Sequence, residues 1–312
     1  MKQFTDFSFL TSRLTQSGRK KIVALACPHD EHTQQVIARA LEAGFAHFIL
    51  TTSRETDTEL AAMAERYKHD VDIIACGSPE EAARQAVKTV KAGQADILMK
   101  GSLNTDVLLH AALDKQEGIL QKGRVMTHIA MAHVPNYGKL LMFSDAAVIP
   151  HPTLEQFDAI VGYCADACRS IGIEKANIAL THFSEKTNAK FEHTIHYQEI
   201  MRRAEAGAYG DVVVGGPMDV KTACDSESGA IKGISSPVVG NADVLIFPNI
   251  ESGNTFYKTI TLFANATMAG WLAGTEVPVV VSSRADSVDS KFYSLAFACC
   301  ISSRPTPCSN KS

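Results

Sequence analysis

Short β-branched runs alternate with longer segments in which apolar residues recur every three or four positions, almost throughout the chain. The runs at 21–27, 47–50, 71–75 and 96–99 predict strands, as do those at 178–181, 211–214, 244–247 and 277–281. Helical spacing fills 33–43, 80–91, 154–171 and 254–273, and a further helical pattern runs from about 287 to 301. Strands alternating with helices imply parallel βαβ units, hence an α/β fold. One segment breaks the rhythm. Two strand-like runs, 125–133 and 139–143, are joined by Val134-Pro135-Asn136-Tyr137-Gly138, whose Pro and Gly suit a tight turn. That pattern predicts a hairpin-like insertion and a domain change near 121–125. The polar stretch from 302 to 312 carries two prolines and is expected to be a disordered tail.

Composition narrows the class. With 312 residues, 46% hydrophobic and 21% charged, the chain suits a two-domain globular protein. No apolar run reaches the roughly 18–20 residues of a membrane helix, and the first ten residues, with Asp6 among them, lack the apolar stretch of a signal peptide. A cytoplasmic location without membrane association is therefore expected. The eight cysteines form no CxxC pair, and the histidines, His29, His32, His128, His133, His151, His182, His193 and His196 among them, show no HExxH spacing. Structural zinc and a catalytic metal are accordingly not expected, and the histidines read as surface or satisfied polar residues. A net charge of −4 excludes a broad nucleic-acid surface but not a small anionic substrate.

Candidate chemistry gathers where strands end. The apolar run 277–281 gives way to Ser282-Ser283-Arg284-Ala285-Asp286-Ser287 ahead of a helical pattern. Hydroxyls and a guanidinium at a strand's carboxyl end, beside a helix N-terminus, can hold an anion. The same residues serve equally well as a helix start with Asp286 or Ser287 as N-cap. Asp96-Ile97-Leu98-Met99-Lys100-Gly101-Ser102-Leu103-Asn104-Thr105 repeats the form, with Lys100 as a point charge and Gly101 permitting close backbone approach. It lacks the spacing of a Walker loop. In Phe247-Pro248-Asn249-Ile250-Glu251-Ser252-Gly253-Asn254, a strand meets a polar turn, and Lys258 follows in the helix's first turns, where the dipole favours anions. Gly215-Gly216-Pro217-Met218-Asp219 reads as a strand-to-helix turn with Pro217 at the helix's first position.

Together and in this order the motifs resemble the phosphate acetyl/butyryltransferase family over most of residues 15–300. The resemblance rests on Met99-Lys100-Gly101 with Asn104-Thr105, Gly123-Arg124-Val125, Ser144-Asp145-Ala146-Ala147 and Pro152-Thr153-Leu154-Glu155-Gln156. It rests also on Ala242-Asp243-Val244-Leu245, on Pro248 to Asn254 and on Ser282 to Ser287 with Lys291 downstream, several of which have the phosphate butyryltransferase form. It implies two α/β domains flanking a cleft, in an isocitrate/isopropylmalate dehydrogenase-like architecture, with 1–122 plus 274–301 as one domain and 123–273 as the other. It also implies a homodimer or larger homo-oligomer. The substrates would be acyl-CoA, phosphate and acyl phosphate, with no metal and no cofactor beyond CoA, itself a substrate.

In the implied reaction a CoA thiolate attacks the acyl-phosphate carbonyl in a ternary complex and phosphate leaves. Arg284 would bind the phosphoryl group and Ser283 would hydrogen-bond the reacting group, with Lys100, Gly101, Thr105, Asn254 and Lys258 around the substrates. Acetyltransferase members carry an aspartate seven residues after the motif serine; here that position is Ser290, with Asp289 adjacent and Asp286 closer to the motif, and Asp286 is taken as the base. Their arginine after the Thr-containing turn corresponds to His110, allowing one gap. Phosphate acetyltransferase is the nearest alternative, and a non-catalytic CoA- or acyl-phosphate-binding module is the alternative of another class. An NAD-dependent dehydrogenase lacks support, since neither G-x-G-x-x-G nor a clear aspartate cluster is present.

Overall fold

The computed structural model describes residues 4–53, 58–282 and 286–302. Two compact units divide the chain, Ser8–Met126 with Ala269–Ser312, and Met1–Phe7 with Thr127–Met268. They are termed here the interrupted and the inserted unit.

The interrupted unit opens with α1 (Ser8–Gln16) and then alternates: β1 (Lys21–Ala26), α2 (Glu31–Glu42), β2 (Ala46–Thr52), α3 (Thr58–Arg66), β3 (Val71–Ala75), α4 (Pro79–Lys91), β4 (Ile97–Lys100) and α5 (Thr105–Ala112). Helix starts follow the capping rules, with Asp30 and Ser78 accepting from the backbone N–H groups of Thr33 and Glu81.

The inserted unit holds β5 (Thr127–His133), β6 (Leu141–Ser144), α6 (Leu154–Ile171), β7 (Ala176–Thr181), α7 (Glu192–Glu205), β8 (Val212–Met218), α8 (Val220–Cys224), α9 (Ser226–Lys232), β9 (Val244–Ile246) and α10 (Ile250–Phe263). The chain then runs through β10 (Thr267–Ala273) and completes the interrupted unit with β11 (Val279–Val280) and α11 (Val288–Ile301).

In the interrupted unit the strands lie in the order β3-β2-β1-β4-β11, all parallel, and β10 joins β11 antiparallel at Leu272 and Val279. β1 has β2 on one side and β4 on the other, so the winding direction reverses between β1 and β4. Such a switch point leaves a crevice at the strands' carboxyl ends, because the flanking loops diverge there. The inserted unit has the order β5-β6-β9-β7-β8, with β5 and β6 antiparallel and the rest parallel. Its core is built on Phe143, whose ring meets Phe256 edge-on at 5.1 Å, with Leu245, Phe247 and Met268 around them. In the interrupted unit α11 is buried along Phe292, Leu295 and Phe297, and Phe297 packs edge-on against Trp271 at 4.5 Å. Burial pushes the Cys164 and Cys299 thiols well up, as befits cysteines acting as small core hydrophobes.

The α/β alternation matches the sequence pattern, and two expectations need correction. The helical reading of 254–273 merges two elements. α10 ends at Phe263, and Asn265 follows in the left-handed region at φ 51°, where asparagine is tolerated. The chain then continues as β10, buried at positions on both faces, so its apolar residues lack the alternation that marks a half-buried strand. Pro217 is likewise not at a helix start. It lies within β8, and Asp219 caps α8. A Cβ at Gly216 would stand 2.6 Å from the Leu180 carbonyl oxygen, so the glycine lets β8 lie close to β7 at the register shift between Ala179 and Thr181. The tail from 303 to 312 lies outside the described residues.

Candidate functional site

Parallel register places Lys100 opposite Ala26 at the carboxyl ends of β4 and β1, beside the switch point. Just beyond β1, Cys27 takes a left-handed conformation with φ 58°. This turns its carbonyl toward three donors: the Ser102 N–H at 2.8 Å, the Ser102 hydroxyl at 3.0 Å and the His29 N–H at 3.0 Å. A Cβ at Gly101 would stand 2.1 Å from that carbonyl oxygen, which no side chain could tolerate. Gly101 is thus required by the close approach of the two turns. Lys100 is buried, and its ammonium donates to the Gly101 and Leu103 carbonyls at 3.0 and 3.1 Å. His29 is not a bare surface group, since its Nε2 lies 3.2 Å from the Thr52 hydroxyl.

These turns border a cavity of about 310 Å³ lined by Asp30, Glu31, His32, Lys100, Gly101, Ser102 and Lys291. Asp30 Oδ1 accepts the Thr33 N–H at 3.0 Å and Oδ2 accepts the Thr33 hydroxyl at 2.6 Å. Lys291, buried on α11, stands 3.3 Å from Oδ1. Burial pushes the Asp30 carboxyl up, but the Thr33 hydroxyl and N–H, with Lys291, outweigh it and hold the group below its ordinary range. The pocket therefore carries an ionised carboxylate beside two buried ammonium groups.

In the inserted unit the Ser144–Ala147 turn is organised by Asp145, which is 1% exposed. Its carboxylate accepts from the Thr127 hydroxyl at 2.7 Å and from the N–H groups of His128, Ala147, Val148 and Ile149 at 2.7–3.3 Å. Helix α10 docks on this turn. Asn249 caps it through the Ser252 N–H, and Asn254 donates to the Ala146 carbonyl at 2.9 Å. A Cβ at Gly253 would meet the Asp145 carbonyl oxygen at 2.0 Å. Lys258, one turn beyond Asn254, is exposed and lies 4.8 Å from the centre of the Tyr257 ring.

Of the residues singled out in the sequence, Lys100 and Gly101 meet at this cavity, where Asp30, Ser102 and Lys291 join them. Thr105 is exposed at the start of α5, and Asn254 and Lys258 share a face of α10 in the other unit. Asp286 is half-buried just before α11, but the cap is Ser287, which accepts the Ser290 N–H at 3.1 Å. Of the two N-cap readings, the structure realises the serine. Ser283 and Arg284 lie outside the described residues. Asp30, a helix cap following a strand, carries the same sequence signal as the other turns and is absent from the residues singled out there. Among the described residues no group of three or more His, Cys, Asp or Glu side chains is arranged to hold a metal ion, and no helix is long and apolar enough to cross a membrane.

A parallel sheet with its crevice at a strand-order switch point, lined by lysines at βα turns, defines an α/β protein suited to small anionic ligands. The comparisons make the class specific. The sequence profile described as Phosphate acetyl/butaryl transferase matches residues 12–299, and the chain belongs to that family. It is 34% identical over 288 residues to the probable phosphate butyryltransferase of Bacillus subtilis (strain 168), covering 92% of this chain and 95% of the relative. It is 33% identical over 281 residues to a phosphate acetyltransferase of Thermotoga maritima, covering 90% and 95%. A branched-chain phosphotransacylase from Enterococcus faecalis V583 superposes with a TM-score of 0.79 at 31% identity, over 91% of this chain and all of that one.

Proposed function

We propose that the chain is a phosphate acyltransferase that moves a short acyl group, butanoyl by preference, between CoA and inorganic phosphate. The observation that carries the reading is the family match over 12–299, which takes in every turn described above. In the reaction the CoA thiolate attacks the carbonyl carbon of the acyl phosphate. The C–O bond to phosphate breaks, and phosphate leaves with the electron pair. Arg284 holds the phosphoryl group, Ser283 hydrogen-bonds the reacting centre, and Asp286 takes the thiol proton. Lys100, Gly101, Thr105, Asn254 and Lys258 surround the substrates. No metal or organic cofactor takes part, CoA being a substrate.

The architecture proposed with this reading is that of the isocitrate/isopropylmalate dehydrogenases, two α/β domains flanking a cleft. The interrupted and the inserted unit would be those two domains, in a cytoplasmic homo-oligomer. The butanoyl preference is supported by the form of the Met-Lys-Gly, Pro-Asn-Ile-Glu-Ser-Gly-Asn and Ser-Arg-Ala-Asp-Ser motifs. A phosphate acetyltransferase among the relatives at 33% identity favours acetyl as the second reading. One methylene is worth only about 1–3 kcal/mol of discrimination in an apolar pocket, so chain length has to be measured.

The test is CoA release from acetyl-, propanoyl-, butanoyl- and branched acyl-CoA with phosphate. Butanoyl-CoA should give the largest kcat/KM; release from none of them, with or without binding, would sink the enzyme reading. Arg284→Ala should lower kcat/KM by about 100-fold or more, whereas exposed His69→Ala should leave it unchanged. Equal effects would remove Arg284 from the site.

A further inference from the structure

Lys291 is placed where a lysine is expensive. It is 4% exposed, and it sits in the first turns of α11, whose N-terminal dipole disfavours a cation. An ammonium group carries three N–H donors. Among the described residues the only polar partner of Lys291 Nζ is Asp30 Oδ1, at 3.3 Å, longer than a good charge-assisted bond. Asp30 is itself shared, since Thr33 already takes a bond to each of its oxygens. The neighbouring Lys100, by contrast, already donates to two carbonyls of its own turn. Lys291 therefore brings unspent donors and an incompletely compensated charge to the wall of a cavity at the switch-point end of β1 and β4.

We infer that Lys291 supplies a fixed cation for the phosphoryl group of inorganic phosphate and acyl phosphate, and that Asp30 is the positioning residue that holds it. The inference rests on the acyl-transfer reading above for its substrate. An anion seated against Nζ would take up the remaining donors and complement the α2 and α11 N-termini. Asp30, kept ionised by its own hydrogen bonds, prevents the long lysine side chain from swinging away.

The experiment has two arms. In the binding arm, thermal unfolding is followed against inorganic phosphate alone. The wild-type midpoint should rise with phosphate by linkage, and Lys291→Met should need about tenfold more phosphate for the same rise. In the kinetic arm, Lys291→Met should raise the KM for phosphate about tenfold and change that for butanoyl-CoA by less than about twofold, with Lys291→Arg recovering most of the loss. Asp30→Asn keeps the helix cap, so it should fold normally while raising the phosphate KM about threefold. Should Lys291→Met fail to fold, Lys291→Arg and Asp30→Asn still carry the test. Unchanged phosphate binding in Lys291→Met, or equal losses for both substrates, would reduce the pair to a structural ion pair. A fall in phosphate KM in Asp30→Asn would show that Asp30 opposes the anion, overturning its positioning role. If the wild-type protein turned over no acyl-CoA, the binding arm alone would still decide what Lys291 holds.

Discussion

A single carboxylate, Asp145, shows how much organisation one side chain can carry. Five donors converge on it in a buried turn, four of them backbone N–H groups. Asp145→Asn keeps the volume but turns an amide N–H₂ toward those donors. Chemical denaturation should show a loss of about 3 kcal/mol or more, because each bond to a charged acceptor is worth roughly 1.5–3 kcal/mol. A loss within about 0.5 kcal/mol, typical of unconstrained surface sites, would refute the role. Residue types of this kind were visible in the sequence as motif letters; their mechanics were not. Ser144-Asp145-Ala146-Ala147 marked the family, yet nothing in four adjacent residues tells that the aspartate bonds Thr127, 18 positions earlier. The Asp30–Lys291 pair, 261 positions apart, is further still from any local pattern.

Among the elements, α10 illustrates how a motif can be mostly carpentry. Asn249 caps it, Gly253 lets it approach the Asp145 turn, and Asn254 bonds across to Ala146. Gly253→Ala must push backbone apart, and should cost about 1–3 kcal/mol with a fall in activity. Gly162→Ala, in the interior of α6, supplies the opposite sign. Its Cβ would meet nothing closer than Tyr209 at 4.0 Å, so better helix propensity should raise stability by about 0.5–1 kcal/mol. Urea midpoints for the two variants moving the same way would contradict this account. Most elements could be read from periodicity because long amphipathic helices and β-branched strands carry strong signals. One exception is informative. β10 was absorbed into a helix because its burial falls on both faces and the dividing residue, Asn265, gives no stronger warning than a polar side chain.

For the molecule as a whole, stability against pH has a named contributor in His193. Burial first, then His182 and His196, depress its pKa to about 4 from an ordinary 6.5. His182 Nδ1 stands 3.0 Å from its Nε2, and His182 is lowered by burial too. Between pH 6.5 and about 4 the unfolded chain binds a proton at this position that the folded one refuses, so stability is present above 6.5 and is lost as pH falls. Unfolding midpoints should decline across that window less steeply in His193→Gln than in the wild type; parallel curves would acquit the histidine. The α/β alternation of the whole chain was legible from its periodicity, since βαβ units are local in sequence.

Chain order adds a consequence of its own. β4 pairs with β1 on one edge and waits for β11 on the other. Met268 completes the inserted unit, yet β11 and α11 still lie ahead. During synthesis on the ribosome the interrupted unit, four strands of which precede the inserted unit's first strand, is therefore finished after it. β4, apolar from Ile97 to Met99, keeps an open edge until β11 emerges, and a nascent protein is most exposed to wrong partners in that interval.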